Sequence, residues 1–167
     1  MKKKIAIYPG TFDPFTNGHL DLVIRSLGIF DEVIVALAPS LKKIPLFTIE
    51  ERLSLIEKTL KKYDRVRCEV FDGLLVDYVK EKKGVAIIRG LRAVSDFEYE
   101  LQMALMNRRL RSEIETVFMM PSEEYSYLTA TIVKEIALLG GCVKGLVPLT
   151  VEKALKEKFK RMKGKNC

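Results

Sequence analysis

Five short apolar or β-branched runs, Lys4–Tyr8, Glu32–Ala38, Val66–Phe71, Val85–Arg89 and Glu115–Met120, are each followed by turn residues and then a helical pattern. Strands separated by helices return to the same end of a sheet and so run parallel. Parallel strands are covered on both faces, which is why these runs read as continuously apolar rather than alternating. Right-handed crossovers then give a doubly wound, Rossmann-like α/β fold: a parallel five-stranded sheet with helices on both faces. Helices are expected at about Gly18–Leu27, Leu74–Lys82, Thr131–Leu139 and Val151–Met162. Two more begin at capping boxes, Thr48-Ile49-Glu50-Glu51 and Ser95-Asp96-Phe97-Glu98. In the first of these, Leu53, Ile56 and Leu60 recur at helical spacing.

The 167 residues fit one domain and can bury one substantial core. No internal repeat, linker or low-complexity segment divides them, so residues 1–167 are expected to form a single unit with a basic C-terminal helix and tail at about 151–167. No apolar run approaches the ~20 residues that span a bilayer. After Met1-Lys2-Lys3-Lys4, the apolar stretch Ile5–Tyr8 stops at Pro9-Gly10, too short for the core of a secretory signal. A cytoplasmic protein with no membrane partner is the expectation. Cys68, Cys142 and Cys167 are odd in number, and their spacing suits neither zinc nor a redox pair. Cys68 and Cys142 read as small core residues, and no metal site is expected.

The net charge of +7 raises the question of a nucleic-acid partner. From Lys153 to Cys167 the chain carries a net +6, so the rest is almost neutral. A basic tail without an RNP motif, zinc fingers or interleaved aromatics reads as a solvated helix face, and no nucleic-acid partner is expected.

In a doubly wound sheet, ligands bind outside the carboxyl ends of the strands where the strand order reverses. The first such end carries Tyr8-Pro9-Gly10-Thr11-Phe12-Asp13-Pro14-Phe15-Thr16-Asn17-Gly18-His19, a shaped loop with two prolines and two glycines. It matches neither GxGxxG nor GxxxxGK[ST]. His19 falls in the first turn of a helix, where free N–H groups and the dipole favour an anion. The second end carries Lys42-Lys43, ordinarily solvated but candidate point charges in a phosphate site. At the fourth, Arg89 closes an apolar strand, where burying a cation is costly unless an anion satisfies it. Arg89 and Arg92 could equally be surface arginines bridged to Asp96, Glu98 or Glu100. At the fifth, a hydroxyl-rich loop, Tyr125-Ser126-Tyr127-Leu128-Thr129-Ala130-Thr131, feeds a helix start. Such hydroxyls are ordinary N-caps, and the same loop can cradle an anion.

Thr16-Asn17-Gly18-His19 resembles the T/HxGH signature of the nucleotidyltransferase α/β-phosphodiesterase superfamily. The longer string from Tyr8 to Pro14, with Arg89-Gly90-Leu91-Arg92-Ala93 and Asp96-Phe97-Glu98-Tyr99-Glu100, is similar to phosphopantetheine adenylyltransferases in particular. The resemblance runs from about Lys4 to Pro148. It implies transfer of AMP from ATP to 4′-phosphopantetheine, giving dephospho-coenzyme A and pyrophosphate. It implies catalytic roles for His19, Thr11, Lys43 and Arg92. ATP would be bound by Thr11, Phe12, His19, Gly90, Leu91, Arg92, Glu100 and the loop Tyr125, Ser126, Tyr127, Leu128, Thr129, Ala130 and Thr131. The acceptor would be bound by Thr11, Lys43, Leu75 and Arg89. Mg2+ would arrive with the ATP phosphates, and a homo-oligomer, a hexamer by resemblance, would be the assembly.

The chain departs from the family pattern in places. Ile44 stands between Lys43 and Pro45, leaving Lys42 as an alternative to Lys43. Ala130 replaces the middle hydroxyl of the second signature. Leu75 stands where some members carry methionine, and Leu138 where some carry an arginine, whose role is not carried over. The competing readings are a nucleotidyltransferase with another acceptor, such as nicotinamide mononucleotide or glycerol phosphate, and a nucleic-acid-binding module.

Overall fold

The computed structural model describes residues 3–39, 44–92 and 94–163. The chain runs β1 (Ile5–Gly10), α1 (Asn17–Ser26), β2 (Glu32–Leu37), α2 (Ile49–Leu60), β3 (Val66–Val70), α3 (Leu75–Glu81), β4 (Ala86–Gly90), α4 (Val94–Leu110), β5 (Glu115–Met119), α5 (Ala130–Leu138) and α6 (Leu149–Lys163). A 3₁₀ turn at Glu123–Tyr125 precedes α5. All pairings are parallel, in the order β3-β2-β1-β4-β5. The chain steps outward from β1 to β3 and then crosses back to β4 on the other side of β1. The order therefore reverses between β1 and β4, and their carboxyl ends, Pro9-Gly10 and Arg89-Gly90, mark the switch point.

Alternate residues of the central strands supply two cores. Ala6, Tyr8, Val33, Val35 and Ile88 pack with Leu22 and Val23 of α1 and Ile56 and Leu60 of α2. Ile7, Ile34, Ala36 and Ile87 face the other way and pack with Val76 and Val79 of α3. Each fully buried side chain of this kind is worth about 1.5–3 kcal/mol, so the two-sided packing pins the strand register. A third cluster lies off the sheet. Val151, Leu155 and Phe159 of α6 join Phe47, Leu128 and Val133, and α6 packs against α2 and α5.

The capping box at Thr48 forms, with the Glu51 amide donating to the Thr48 hydroxyl and the Thr48 amide to the Glu51 carboxylate. At Ser95 the backbone does not occupy the cap position expected of it. Helix α4 is already helical at Val94, so Ser95 lies in its first turn, where Asp96 supplies the negative charge the helix dipole favours. Cys142 is exposed rather than in the core, because it follows the glycine pair Gly140-Gly141 that leads the chain away from α5. Cys68 is half-buried, and burial, with Glu57 nearby, pushes its thiol up to about 12. Cys167 lies outside the described residues. Among the described residues, no helix is long and apolar enough to cross a membrane.

Candidate active site

A cleft of about 880 Å³ opens over the carboxyl ends of β1 and β4. Its floor is the loop between β1 and α1. Gly10 is required there by close approach: a Cβ at this position would meet the Phe12 ring at 2.7 Å. Phe12 itself adopts φ +49°, a left-handed conformation costing a non-glycine residue of order 1–3 kcal/mol. Its ring stands edge-on to His19, with centroids 5.1 Å apart. Phe15 packs on another side of the same imidazole at 5.5 Å. The aromatic walls thus fix the histidine ring.

Helix α1 starts with an uncommon capping box. The His19 amide donates to Oγ1 of Thr16 at 3.3 Å, and the Thr16 amide donates to Nδ1 of His19 at 2.9 Å. A backbone amide only donates, so Nδ1 carries a lone pair and the ring proton sits on Nε2. Burial, assisted by the Arg92 guanidinium, lowers the imidazole pKa to about 4. His19 is therefore a neutral Nε2–H donor at physiological pH, in a ring that lines the cleft.

Cations and a helix start form the walls. Arg89 lines the cleft while donating to both carboxylate oxygens of Glu100, at 2.7 and 2.6 Å, and to the Pro9 carbonyl at 3.3 Å. Arg92 pairs with Asp96 at 3.2 Å and donates to the Leu128 carbonyl at 3.4 Å. Both arginines thus make the acid pairings expected of surface residues and still face the cleft. Thr129 caps α5 by accepting from the Ile132 amide at 3.0 Å, and Ala130 and Thr131, the first helical residues, line the cleft. Amides in a helix's first turn lack intrahelical acceptors and favour anions.

Of the residues expected from sequence, Thr11, Phe12, His19, Arg89, Gly90, Arg92, Glu100, Tyr125, Leu128, Thr129, Ala130 and Thr131 come together here. Lys43, with its alternative Lys42, lies outside the described residues. Leu91, Ser126, Tyr127 and Leu75 do not line this cleft. The Leu91 amide continues the ladder by donating to the Met119 carbonyl. The Ser126 hydroxyl closes the 3₁₀ turn on Glu123, and the Tyr127 side chain is exposed. Leu75 opens α3 and packs against the Ile7 face of the sheet.

Sequence reasoning missed Asp13, Arg52 and Lys134. Asp13 and Lys134 line the cleft and pair at 2.7 Å. Arg52 is 3% exposed and donates to the Thr11 carbonyl at 2.6 Å, tying α2 to the cleft floor. A buried-face arginine among the Glu and Lys of an amphipathic helix was the only available signal for it.

A switch-point cleft with a capped, neutral histidine and arginines at the next strand end defines a nucleotidyltransferase-type unit. Residues 7–136 match the model of the cytidylyltransferase-like family. The chain is 64% identical over 159 residues to the phosphopantetheine adenylyltransferase of Thermodesulfovibrio yellowstonii, covering 95% of this chain and 99% of that one. The corresponding protein of Syntrophotalea carbinolica is 54% identical, over 95% of this chain and 96% of its own. The chain belongs to the phosphopantetheine adenylyltransferase family. In fold, it is similar to a solved Vibrio parahaemolyticus protein assigned as a nicotinate-nucleotide adenylyltransferase, with a TM-score of 0.71, 20% identity and 96% of each chain covered.

Proposed function

We propose that the cleft binds ATP beside 4′-phosphopantetheine and transfers the adenylyl group, releasing pyrophosphate and dephospho-coenzyme A. The observation that carries this reading is the locked, neutral His19 beneath three cationic side chains and the α5 start. The acceptor's phosphate, with a second pKa near 6, is largely dianionic at neutral pH and needs no general base. One of its oxygens bonds to the α-phosphorus of ATP as the bond from that phosphorus to the bridging oxygen breaks. The electron pair leaves with pyrophosphate. The protein's task is to hold two polyanions in line and to neutralise charge at the α-phosphate.

His19 donates its Nε2–H to the transferring phosphoryl group, and Arg92 and Thr11 add charge and a hydroxyl beside it. Arg89 takes the acceptor's phosphate. Gly90, Thr129, Ala130, Thr131 and Glu100 surround the nucleotide. Lys43 belongs to this set by family resemblance. Mg2+ would arrive with the ATP substrate and would screen the charge of its phosphates. The carboxylates at the cleft, Asp13, Asp96 and Glu100, are each paired with a cation, which suits an ion carried by the nucleotide rather than by a protein cage.

We read residues 1–167 as one functional unit working in the cytoplasm as a homo-oligomer. Helix α4 supports the assembly. Phe97, Leu101, Met103, Leu105, Met106 and Leu110 are exposed by 37–57%, more apolar surface than one helix of a monomer ordinarily leaves in water. A second copy of this chain is the partner we assign to it, and sedimentation would show a single species several times the 19.1 kDa monomer.

Pyrophosphate release from ATP, measured with a panel of phosphorylated acceptors, tests the activity. 4′-Phosphopantetheine should give the highest kcat/KM by at least tenfold. A preference for nicotinamide mononucleotide or glycerol phosphate would move the chain to another acceptor class.

A further inference from the structure

Asp13 is 6% exposed, yet its carboxylate meets three donors from two distant parts of the chain. Oδ2 accepts from the Leu46 amide at 2.9 Å, and Oδ1 from the Phe47 amide at 3.0 Å. The third donor is Lys134 Nζ, 2.7 Å from Oδ2 and 121 residues along the chain. Arg52 lies close enough for Asp13 to favour its charged form, and it donates to the carbonyls of Thr11 and Ala38 at 2.6 and 3.4 Å. One carboxylate thus stands between two cations, leaving this wall of the cleft net positive.

We infer that Asp13 is a positioning residue for the transfer reaction, fixing the Lys134 ammonium and the Leu46–Phe47 backbone to one wall of the cleft. The inference rests on the adenylyl-transfer reading. A lysine ammonium is a point charge on a flexible stem, and its usefulness to a developing charge depends on being held before the reaction begins. Asp13 supplies that hold for Lys134, which lines the cleft one turn into α5. The same carboxylate anchors the segment through which Ile44 and Pro45 reach the cleft. Asparagine is a poor substitute, because its amide group would turn an N–H toward donors that need an acceptor. The position therefore demands a charged carboxylate of aspartate length.

A double-variant cycle on the full chain tests this, with kcat and KM for ATP measured for D13N, K134M and D13N/K134M. Each single substitution should lower kcat by about 10–100-fold, the scale of a misplaced group, with KM moving less than about fivefold. The double variant should lose no more than the worse single one, because both remove the same held cation. K134R, which can keep the pair, should recover most of kcat. Losses that multiply in the double variant would overturn the inference. So would a D13N enzyme whose kcat per folded molecule is normal and whose melting temperature alone falls, since that is a structural role only. If D13N does not fold, D13E takes its place in the cycle: it keeps the charge but displaces it by a methylene, and wild-type kcat for it would equally overturn the inference. A wild-type enzyme that releases no pyrophosphate with any acceptor would instead refute the activity.

Discussion

Thr16 and His19 cap each other: the threonine amide holds Nδ1 of the imidazole at 2.9 Å, while the histidine amide holds the threonine hydroxyl at 3.3 Å. The residue that starts the helix is therefore also the residue that selects the tautomer. An ordinary capping box uses Glu or Gln at this place and contributes stability alone. Here the same geometry occupies Nδ1 and leaves the Nε2–H as the neutral ring's one donor, which the proposed transfer directs toward a phosphate.

His19→Ala should lower kcat by about 10²–10³, the cost of one donor that acts on developing charge. ATP affinity should move far less. Pre-steady-state turnover and titration calorimetry separate the two, and a variant with near-normal kcat would remove His19 from the mechanism.

The same histidine sets a pH dependence of stability. Its folded pKa of about 4 lies below its ordinary value near 6.5, so the unfolded chain binds the proton more tightly. His19 therefore withdraws stability as pH falls through the window from about 6.5 to 4, by about 2 kcal/mol between pH 7 and 5. Urea midpoints for wild type and His19→Asn at the two pH values should show this as a smaller pH effect in the variant. Equal pH effects would mean the imidazole titrates normally.

Arg89→Ala should raise the Kd for 4′-phosphopantetheine by about 10–100-fold, the loss of ~1.5–3 kcal/mol from a charged hydrogen bond. Arg92→Ala should act mainly on ATP. Because Arg89 also holds Glu100, its removal leaves a nearly buried carboxylate unpaired. Arg89→Ala with Glu100→Gln should then be more stable than Arg89→Ala alone while binding the acceptor no better. Calorimetry of each variant with each ligand decides it, and equal losses for both ligands would indicate only a shared positive field.

At the carboxyl end, position matters more than charge. Removing Lys160–Cys167 should leave kcat/KM within about threefold at ~0.15 M salt, where the Debye length is about 8 Å. Any steering by these charges would appear as a loss confined to low salt. Phe159 lies one residue earlier and is buried against the third apolar cluster. Phe159→Ala should cost about 3–5 kcal/mol. A truncation loss that persists across a salt series would assign the removed segment a direct contact with substrate or a neighbouring copy.

The sheet was legible because its signals are local. All five strands and the helix after Thr48 can be placed from runs and caps a few residues long, and each strand end lies within two residues of its expected position. Arg89 stood out because a cation closing an apolar strand needs a partner, and His19 because it sits in a helix's first turn at the sheet's ligand-binding edge, while Arg92 was marked by the family string. Asp13 did not, since nothing within several residues of it announces a lysine 121 positions away. Lys134 looked like any solvent-facing helix residue for the same reason. Ser95 failed as a cap because side-chain pattern locates a helix start only to within a residue or two.

The packing of α6 onto Phe47 and Leu128 has a consequence for synthesis on the ribosome. Residues emerge in order, and β1 through β5 are complete while α6 is still in the exit tunnel. A nascent chain at that stage owns every strand and its only histidine, yet the apolar backs of Phe47 and Leu128 are still uncovered. Until α6 docks, such a chain would expose this apolar surface beside a cleft whose own lining, Tyr8 to Lys134, is already synthesised.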